Sequence, residues 1–384
     1  MDISIGTHHL GLGGSETYAL TVAEQLARLG HGVTVCAAVL GGGEALARAR
    51  GIDAVSLDAY AADRCDAIVA QDAGMAYELR RRHPDAPLVF VAHSEEFDEQ
   101  LPPRLEGLVA TVVVLNDRVE RRVRALAADL PVVRLRQPID ISRFRPRGRP
   151  APTARRLLAL GNNLERARLE TVADVAARAG IELVRVGVKG EATVRPEDAI
   201  AGADLVIGYG RCVLEAMACG RPAYVYDHLG GDGWVTAETY PQLERDGFGG
   251  RALPGAVDPD RLLADLRRYD PAMGIVNRDL AVAHHRAEHH AHELVALLAG
   301  AGAPVGVGAD GLGELARLVR AQWAATSRAS ELEARVAALE DALAAARASA
   351  AAAHALTRTR RYRLGAALAR PLDVARSWRA RAGL

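Results

Sequence analysis

Lysine is almost missing from this chain. Of the 48 basic residues in 384, only Lys189 is a lysine and the rest are arginines. With abundant alanine and glycine, that reads as GC-rich codon usage and carries no mechanism. Net charge is missing too: Lys+Arg and Asp+Glu are both 48. This excludes a strongly basic nucleic-acid binder in bulk terms. Cysteine is scarce. Cys36, Cys65, Cys212 and Cys219 form no C-x-x-C pair and no disulfide framework, so a reduced, cytoplasmic chain is expected. Met1-Asp2 leads straight into a strand pattern, so no signal peptide is expected. No apolar run approaches the ~20 residues of a membrane helix.

Alternation of short apolar runs with amphipathic stretches fills the first half. Strands are predicted over Asp2–Gly6, Gly32–Ala38, Ala67–Ala70, Leu88–Ala92, Thr111–Leu115 and Val132–Arg136. Helices are predicted over Glu16–Leu29, Ala73–Arg82 and Arg118–Ala128. Strand, helix, strand at this pitch means βαβ units and a parallel sheet. Pro146 to Pro152 breaks the pattern and marks a domain boundary. The alternation then restarts, with strands predicted over Arg156–Leu160, Glu182–Val186, Leu205–Ile207 and Pro222–Tyr226. Helices are expected over Leu164–Ala179 and Val213–Cys219. The division is thus 1–148 and 149–300 for two Rossmann-like domains, 310–356 for a helical segment and 357–384 for a tail.

Beyond the linker Gly300–Asp310 the character changes. Leu318, Gln322, Ala325, Ala329, Leu332, Val336, Leu339, Leu343 and Ala346 follow the 4-3 spacing of coiled-coil a and d positions, clearest from Leu332. A homo-oligomeric coiled coil is one reading; a lone Ala-rich helix folding back on the body is the other. Thr357–Leu384 holds eight arginines and one aspartate. With Leu364, Leu368 and Leu372 at four-residue spacing, the tail reads as a basic segment for an anionic membrane surface, or as a solvated tail interrupted at Pro371.

Two glycine loops carry the chemistry. Gly11-Leu12-Gly13-Gly14-Ser15-Glu16 lies between the first strand and a helix. Glycines let a ligand approach the backbone, and a helix N-terminus offers free N–H groups to an anion. Ser15 is the expected N-cap. The third glycine of a dinucleotide fingerprint is missing, as is an acid at the end of strand two, which weakens an NAD reading. The second loop, Gly208-Tyr209-Gly210-Arg211, opens a helix carrying Leu214 and Glu215 and stopping at Gly220. A carboxylate there, at the carboxyl edge of a parallel sheet, suits ribose hydroxyls. Gly230 and Gly231 are expected in a further loop after the next strand.

Gly210 to Gly231 resembles the donor-site signature of the large retaining GT-B glycosyltransferase family with a Glu-x7-Glu motif. Gly13-Gly14-Ser15-Glu16 with Ala23–Val35 resembles that family's N-terminal stretch, and Gln137-Pro138-Ile139-Asp140 with Phe144 and Pro146 its end-of-domain segment. The three blocks occur in the family's order over residues 3–298. The resemblance implies two Rossmann-like domains facing a cleft, the first for an acceptor and the second for a nucleotide-sugar, usually UDP- or GDP-linked. It implies retained anomeric configuration, no cofactor and no bound metal. Glu215 matches the ribose-contacting glutamate, Gly13 and Gly14 the loop near the donor diphosphate, and His93 a histidine facing the reacting sugar. Gly210, Arg211, Leu214, Gly230 and Gly231 fall in the donor signature.

Two departures stand out. Ile207 occupies the place of the first glutamate, which in the family contacts the transferred sugar. Asn162 stands where the family has a phosphate-binding arginine; Arg166, Arg168 or Lys189 is expected to supply the charge, and a solvated helix face is the alternative for both arginines. Asp258-Pro259-Asp260 reads as a helix cap rather than a metal-binding Asp-x-Asp. His285-Arg286-Ala287-Glu288-His289 fits H-x-x-E-H but also the family's crossing helix. The expected function is sugar transfer to a glycan or lipid-linked acceptor in cell-surface polysaccharide assembly, at the cytoplasmic face of the membrane; the competing reading is a degenerate transferase body acting as a scaffold through its coiled coil.

Overall fold

The computed structural model describes residues 1–384 except 62, 162–163, 165, 188–192, 194, 228–229, 303–308 and 358–384, and without the side chains of 166, 309–310, 314 and 356–357. The basic tail beyond Thr357 therefore lies outside the described residues.

The first body is built on seven strands: β1 (Asp2–Leu10), β2 (Gly32–Leu40), β3 (Asp53–Ser56), β4 (Ala67–Ala70), β5 (Leu88–Ala92), β6 (Thr111–Val114) and β7 (Val132–Arg134). Their order is β3-β2-β1-β4-β5-β6-β7, all pairs parallel. The crossovers are α1 (Gly14–Arg28), α2 (Gly43–Ala49), α3 (Ala73–Arg82) and α4 (Asp117–Leu126). Every residue of β4 and β5 is buried, as expected where helices cover both faces. Asp72 and Asn116 start α3 and α4 by accepting the amides of Met75 and Val119 at 2.8 and 2.9 Å. The chain leaves β1 to one side for β2 and β3 and to the other for β4. That reversal puts a crevice at the carboxyl end of β1, where the first glycine loop sits.

A second sheet follows, from β8 (Arg156–Leu160), β9 (Glu182–Val186), β10 (Leu205–Gly208), β11 (Ala223–Asp227) and β12 (Gly230–Trp234), in the order β12-β11-β10-β8-β9. Its crossovers are α5 (Arg166–Ala179), α6 (Pro196–Ala201) and α7 (Arg211–Ala218). Here the expectation of a purely parallel sheet is corrected. β12 pairs antiparallel with β11, and Gly230 and Gly231, expected in a loop, are strand residues. Three glycines in Gly230–Trp234 hide the strand, because glycine has no side chain to pack and is rare in strands. They are required by crowding: a Cβ on Gly230 would lie 2.6 Å from the Gly250 carbonyl, and one on Gly231 would lie 2.7 Å from the Tyr226 ring.

Three helices, α8 (Tyr240–Arg245), α9 (Pro259–Arg267) and α10 (Met273–His284), complete this layer. Asp258 caps α9, its carboxylate accepting the Arg261 amide at 2.8 Å. The chain then breaks at His285 and Arg286 and returns to the first sheet as α11 (Ala287–Gly300), where Ala291, Leu294 and Leu298 join the core under α1. The crossing is pinned by backbone and imidazole. Ile139 donates to the His285 carbonyl at 2.7 Å and Ala287 to the Ile139 carbonyl at 3.1 Å. The His285 ring bonds Gln137 O and Tyr240 Oη, both at 2.9 Å; the His290 ring bonds Arg136 O at 2.9 Å and Tyr18 Oη at 2.7 Å. His289 is exposed and faces Glu293. The H-x-x-E-H spacing therefore places its two histidines in different surroundings.

The long helix α12 (Ala309–Thr357) begins against the first body, where Leu312 and Ala316 are buried. From Ala321 it forms a separate unit. Among the described residues no helix is long and apolar enough to cross a membrane.

Burial holds the His285 and His290 rings near pKa 4, against 6.5 in an unfolded chain. Below about pH 6.5 the unfolded chain binds more protons, so these rings withdraw stability as pH falls toward 4. Asp72, raised to about 7 by burial, titrates in the opposite sense. The readout is thus a difference: the fall in Tm between pH 6.5 and 4.5 should be shallower in His290→Gln than in the wild type. Equal slopes would mean that His290 does not couple the crossing helix to pH.

Candidate active site

Two adjoining cavities open between the sheets. The first, of about 120 Å³, has Gly13, Gly14, Thr17 and Arg50 on one wall and Gly161, Gly187, Arg211 and Glu215 on the other. The second, of about 460 Å³, shares Gly13, Gly14, Arg211 and Cys212 and adds Glu16, His93, Glu95 and Glu96.

The glycine wall is the N-terminus of α1. Gly13 is the N-cap, in extended conformation with no side-chain cap, and Gly14 is the first helical residue. Ser15 is therefore two positions past the cap, and its hydroxyl donates to Glu16 Oε2 at 2.9 Å instead. An uncapped 15-residue helix leaves donors for a ligand anion at this wall. A Cβ at Gly14 would meet open space, while one at Gly13 would strike the Glu16 carboxylate at 2.4 Å. Burial pushes the Glu16 pKa up, but hydrogen bonds from His9, its own amide and Ser15 outweigh it and hold the carboxylate below its usual range.

The opposite wall is the start of α7. Gly210, at φ 57°, makes the turn that a side chain resists, and its amide donates to the Phe248 carbonyl at 2.9 Å. Arg211 and Glu215 are both buried and joined, Nε to Oε1 at 2.9 Å. The same guanidinium donates to the Pro138 carbonyl at 2.9 Å and to Thr21 Oγ1 at 3.1 Å. One side chain thus ties α7 to the connecting segment and to α1. Burial raises the Glu215 pKa, and Arg211 opposes that rise.

His93 follows β5 and lines the second cavity. Its Nε2 is buried with no hydrogen-bond partner, and its ring meets the Tyr18 ring edge-on at 4.8 Å. Burial drives its pKa down to about 4, so it is a neutral imidazole at physiological pH.

Not every sequence candidate gathers here. Leu214 is a core residue packed with Ile139 and Val225. Gly230 and Gly231 lie in β12, away from both cavity walls. Arg168 donates to Tyr226 Oη at 3.1 Å and covers that ring at 5.3 Å; it lines neither cavity. The Arg166 side chain and Lys189 lie outside the described residues. Ile207 is fully buried in the sheet and presents no polar group there.

Arg50 went unnoticed in the sequence. It caps the C-terminus of α2, a helix too short to show a periodic pattern. Its Nε is buried without a partner, and burial pulls its pKa down to about 10. Only its position across the cavity from Glu215 reveals it.

Replacing Arg211 with Met strands a buried carboxylate, and should cost about 3–5 kcal/mol in a urea titration. Arg211→Met with Glu215→Leu should recover much of that loss. A single variant costing less than about 1 kcal/mol would deny that the pair clasps the cleft.

No family model and no curated protein matches the chain. Solved structures do. Anabaena HepE in complex with UDP and glucose superposes with a TM-score of 0.56 at 12% identity, covering 78% of this chain and 100% of that one. A glycosyltransferase from Rickettsia africae ESF-5 gives 0.54 at 11% identity, covering 77% and 98%. At such identities the likeness establishes the fold: the chain has the GT-B architecture of two Rossmann-like domains facing a cleft.

Proposed function

We propose that this protein transfers a sugar from a nucleotide-sugar donor, UDP- or GDP-linked, to a glycan or lipid-linked acceptor. The observation that carries the reading is the pairing, across one cavity, of the uncapped α1 terminus and Arg50 with the Glu215 carboxylate. A nucleoside diphosphate needs donors for its phosphates and an acceptor for its ribose hydroxyls, and these walls supply both. The structures of HepE with UDP and with UDP-glucose support the reading by fold.

On this reading the diphosphate rests on the α1 terminus, with Arg50 taking the role expected of Arg166, Arg168 or Lys189. The bond from the anomeric carbon to the phosphate oxygen breaks, and a bond from the acceptor oxygen to that carbon forms. The acceptor proton passes to the departing diphosphate, which stays on the face it left, so configuration is retained. Negative charge grows on that leaving group, and the helix terminus and Arg50 are oriented to meet it without a metal. Neutral His93, with its free Nε2, faces the sugar side. Assembly of a cell-surface polysaccharide at the cytoplasmic membrane face belongs to the same proposal; it rests on the arginines of Thr357–Leu384.

One observation favours a second reading, a scaffold that has lost catalysis. Ile207 removes the first glutamate, and Arg211 already engages an oxygen of the second.

Calorimetry with UDP, GDP, ADP, dTDP and NAD separates the readings. One nucleoside diphosphate should bind at micromolar Kd. Glu215→Ala should weaken it at least ~10-fold, the worth of one hydrogen bond to a charged group. Arg50→Met should weaken the diphosphate by a similar factor while leaving the parent nucleoside unaffected. A folded protein that binds none of these would favour the scaffold; equal loss for the nucleoside would remove Arg50 from the phosphate site.

A further inference from the structure

The helical part of the second unit has no use in the reading above. In it α12 runs on from Ala321 with an apolar row in water: Leu332, Val336, Leu339 and Leu343 are 61%, 53%, 62% and 50% exposed. A helix gains little from such a row alone, because helical stability in proteins comes mostly from packing an apolar face. The row advances by four, three and four residues, which keeps it on a single seam of a supercoiled helix. Read as heptads, Val336 and Leu343 are a positions and Leu332 and Leu339 are d positions.

The flanking charges choose among partners. Arg328 and Arg335 fall at g positions, and Glu333 and Glu340 at the e positions five residues later. In a parallel, in-register pair of helices, g of one chain meets the following e of the other. This places Arg328 against Glu333 and Arg335 against Glu340 of the second copy, on both sides of the seam. An antiparallel pair sets g beside g and e beside e, hence arginine near arginine and glutamate near glutamate. In the first of the two heptads, Val336 at a with Leu339 at d favours two strands over three or four.

We propose that α12 pairs with the α12 of a second copy of this chain as a parallel, in-register, two-stranded coiled coil. The proposal is independent of the catalytic reading. It yields a particle with two copies of the cleft, whose carboxyl-terminal segments leave the coiled coil from the same end.

Light scattering on the purified full chain should give about twice the 40.8 kDa of one chain. A parallel in-register pair brings each d residue opposite itself. Ala346→Cys should therefore form an interchain disulfide in a glutathione redox buffer, at least ~10-fold more than Ala348→Cys on the outer face. The wild type, with its four native cysteines, is the background. Circular dichroism verifies that each variant keeps its helix. A chain with Glu333→Arg and Glu340→Arg should be monomeric, and mixing it with a chain carrying Arg328→Glu and Arg335→Glu should restore dimers. A monomeric wild type would overturn the proposal and hand the seam to the chain's own body. A dimer in which Ala346→Cys fails to link would overturn its orientation and register.

Discussion

A buried guanidinium must find a partner for each of its nitrogens, and Arg211 finds them in three separate parts of the molecule. Its Nε goes to Glu215 on its own helix, one terminal nitrogen to Pro138 in the connecting segment, and the other to Thr21 on α1. These three parts make the cleft. Arg211 opposes the rise that burial imposes on the Glu215 pKa, and it holds α1 opposite α7. Lose the guanidinium, and a buried carboxylate and a carbonyl are stranded at the junction, at a cost far above that of a surface ion pair. The residue that orders the cleft is thus also a wall of it, which makes donor recognition and the docking of the two sheets one problem.

The His285 and His290 rings perform a related task on the far side of the junction. Each spans a backbone carbonyl of the 136–137 segment and a tyrosine hydroxyl. A neutral imidazole has one donor and one acceptor nitrogen, which matches a carbonyl paired with a hydroxyl. Burial keeps the rings neutral, so the crossing helix is fastened without adding charge near a site whose own charges must be controlled.

Much of the frame was legible because buried parallel strands are nearly continuous apolar runs. The boundaries of β4, β5, β8 and β9 agree with the periodicity to the residue. What escaped has physical causes. The edge strand β3 is only partly buried, and Gly230–Trp234 follows no strand propensity because backbone crowding dictates it. The strand β1 continues to Leu10 because β2 pairs with it that far, a tertiary reason invisible in Thr7-His8-His9. Glu215 was legible through its helix and glycine turn. Arg50 was not, since nothing in sequence spacing brings the end of α2 to a carboxylate 165 residues away. Arg168 shows the reverse failure: a well-placed arginine in sequence whose guanidinium lies on Tyr226.

The distribution of charge between the two cavities bears on how this site can serve the proposed reaction. Departure of a diphosphate leaves negative charge at one end of the breaking bond and an electron-poor sugar at the other. Arg50 lines the first cavity, and the α1 terminus borders both. Ionised Glu16 and a neutral His93 lie on the side of the second. A protonated His93 would oppose positive charge on the sugar, and its burial prevents that. On the proposed reading Arg50 meets the growing negative charge and Glu16 the electron-poor sugar, both as fixed groups that need not reorganise during the reaction.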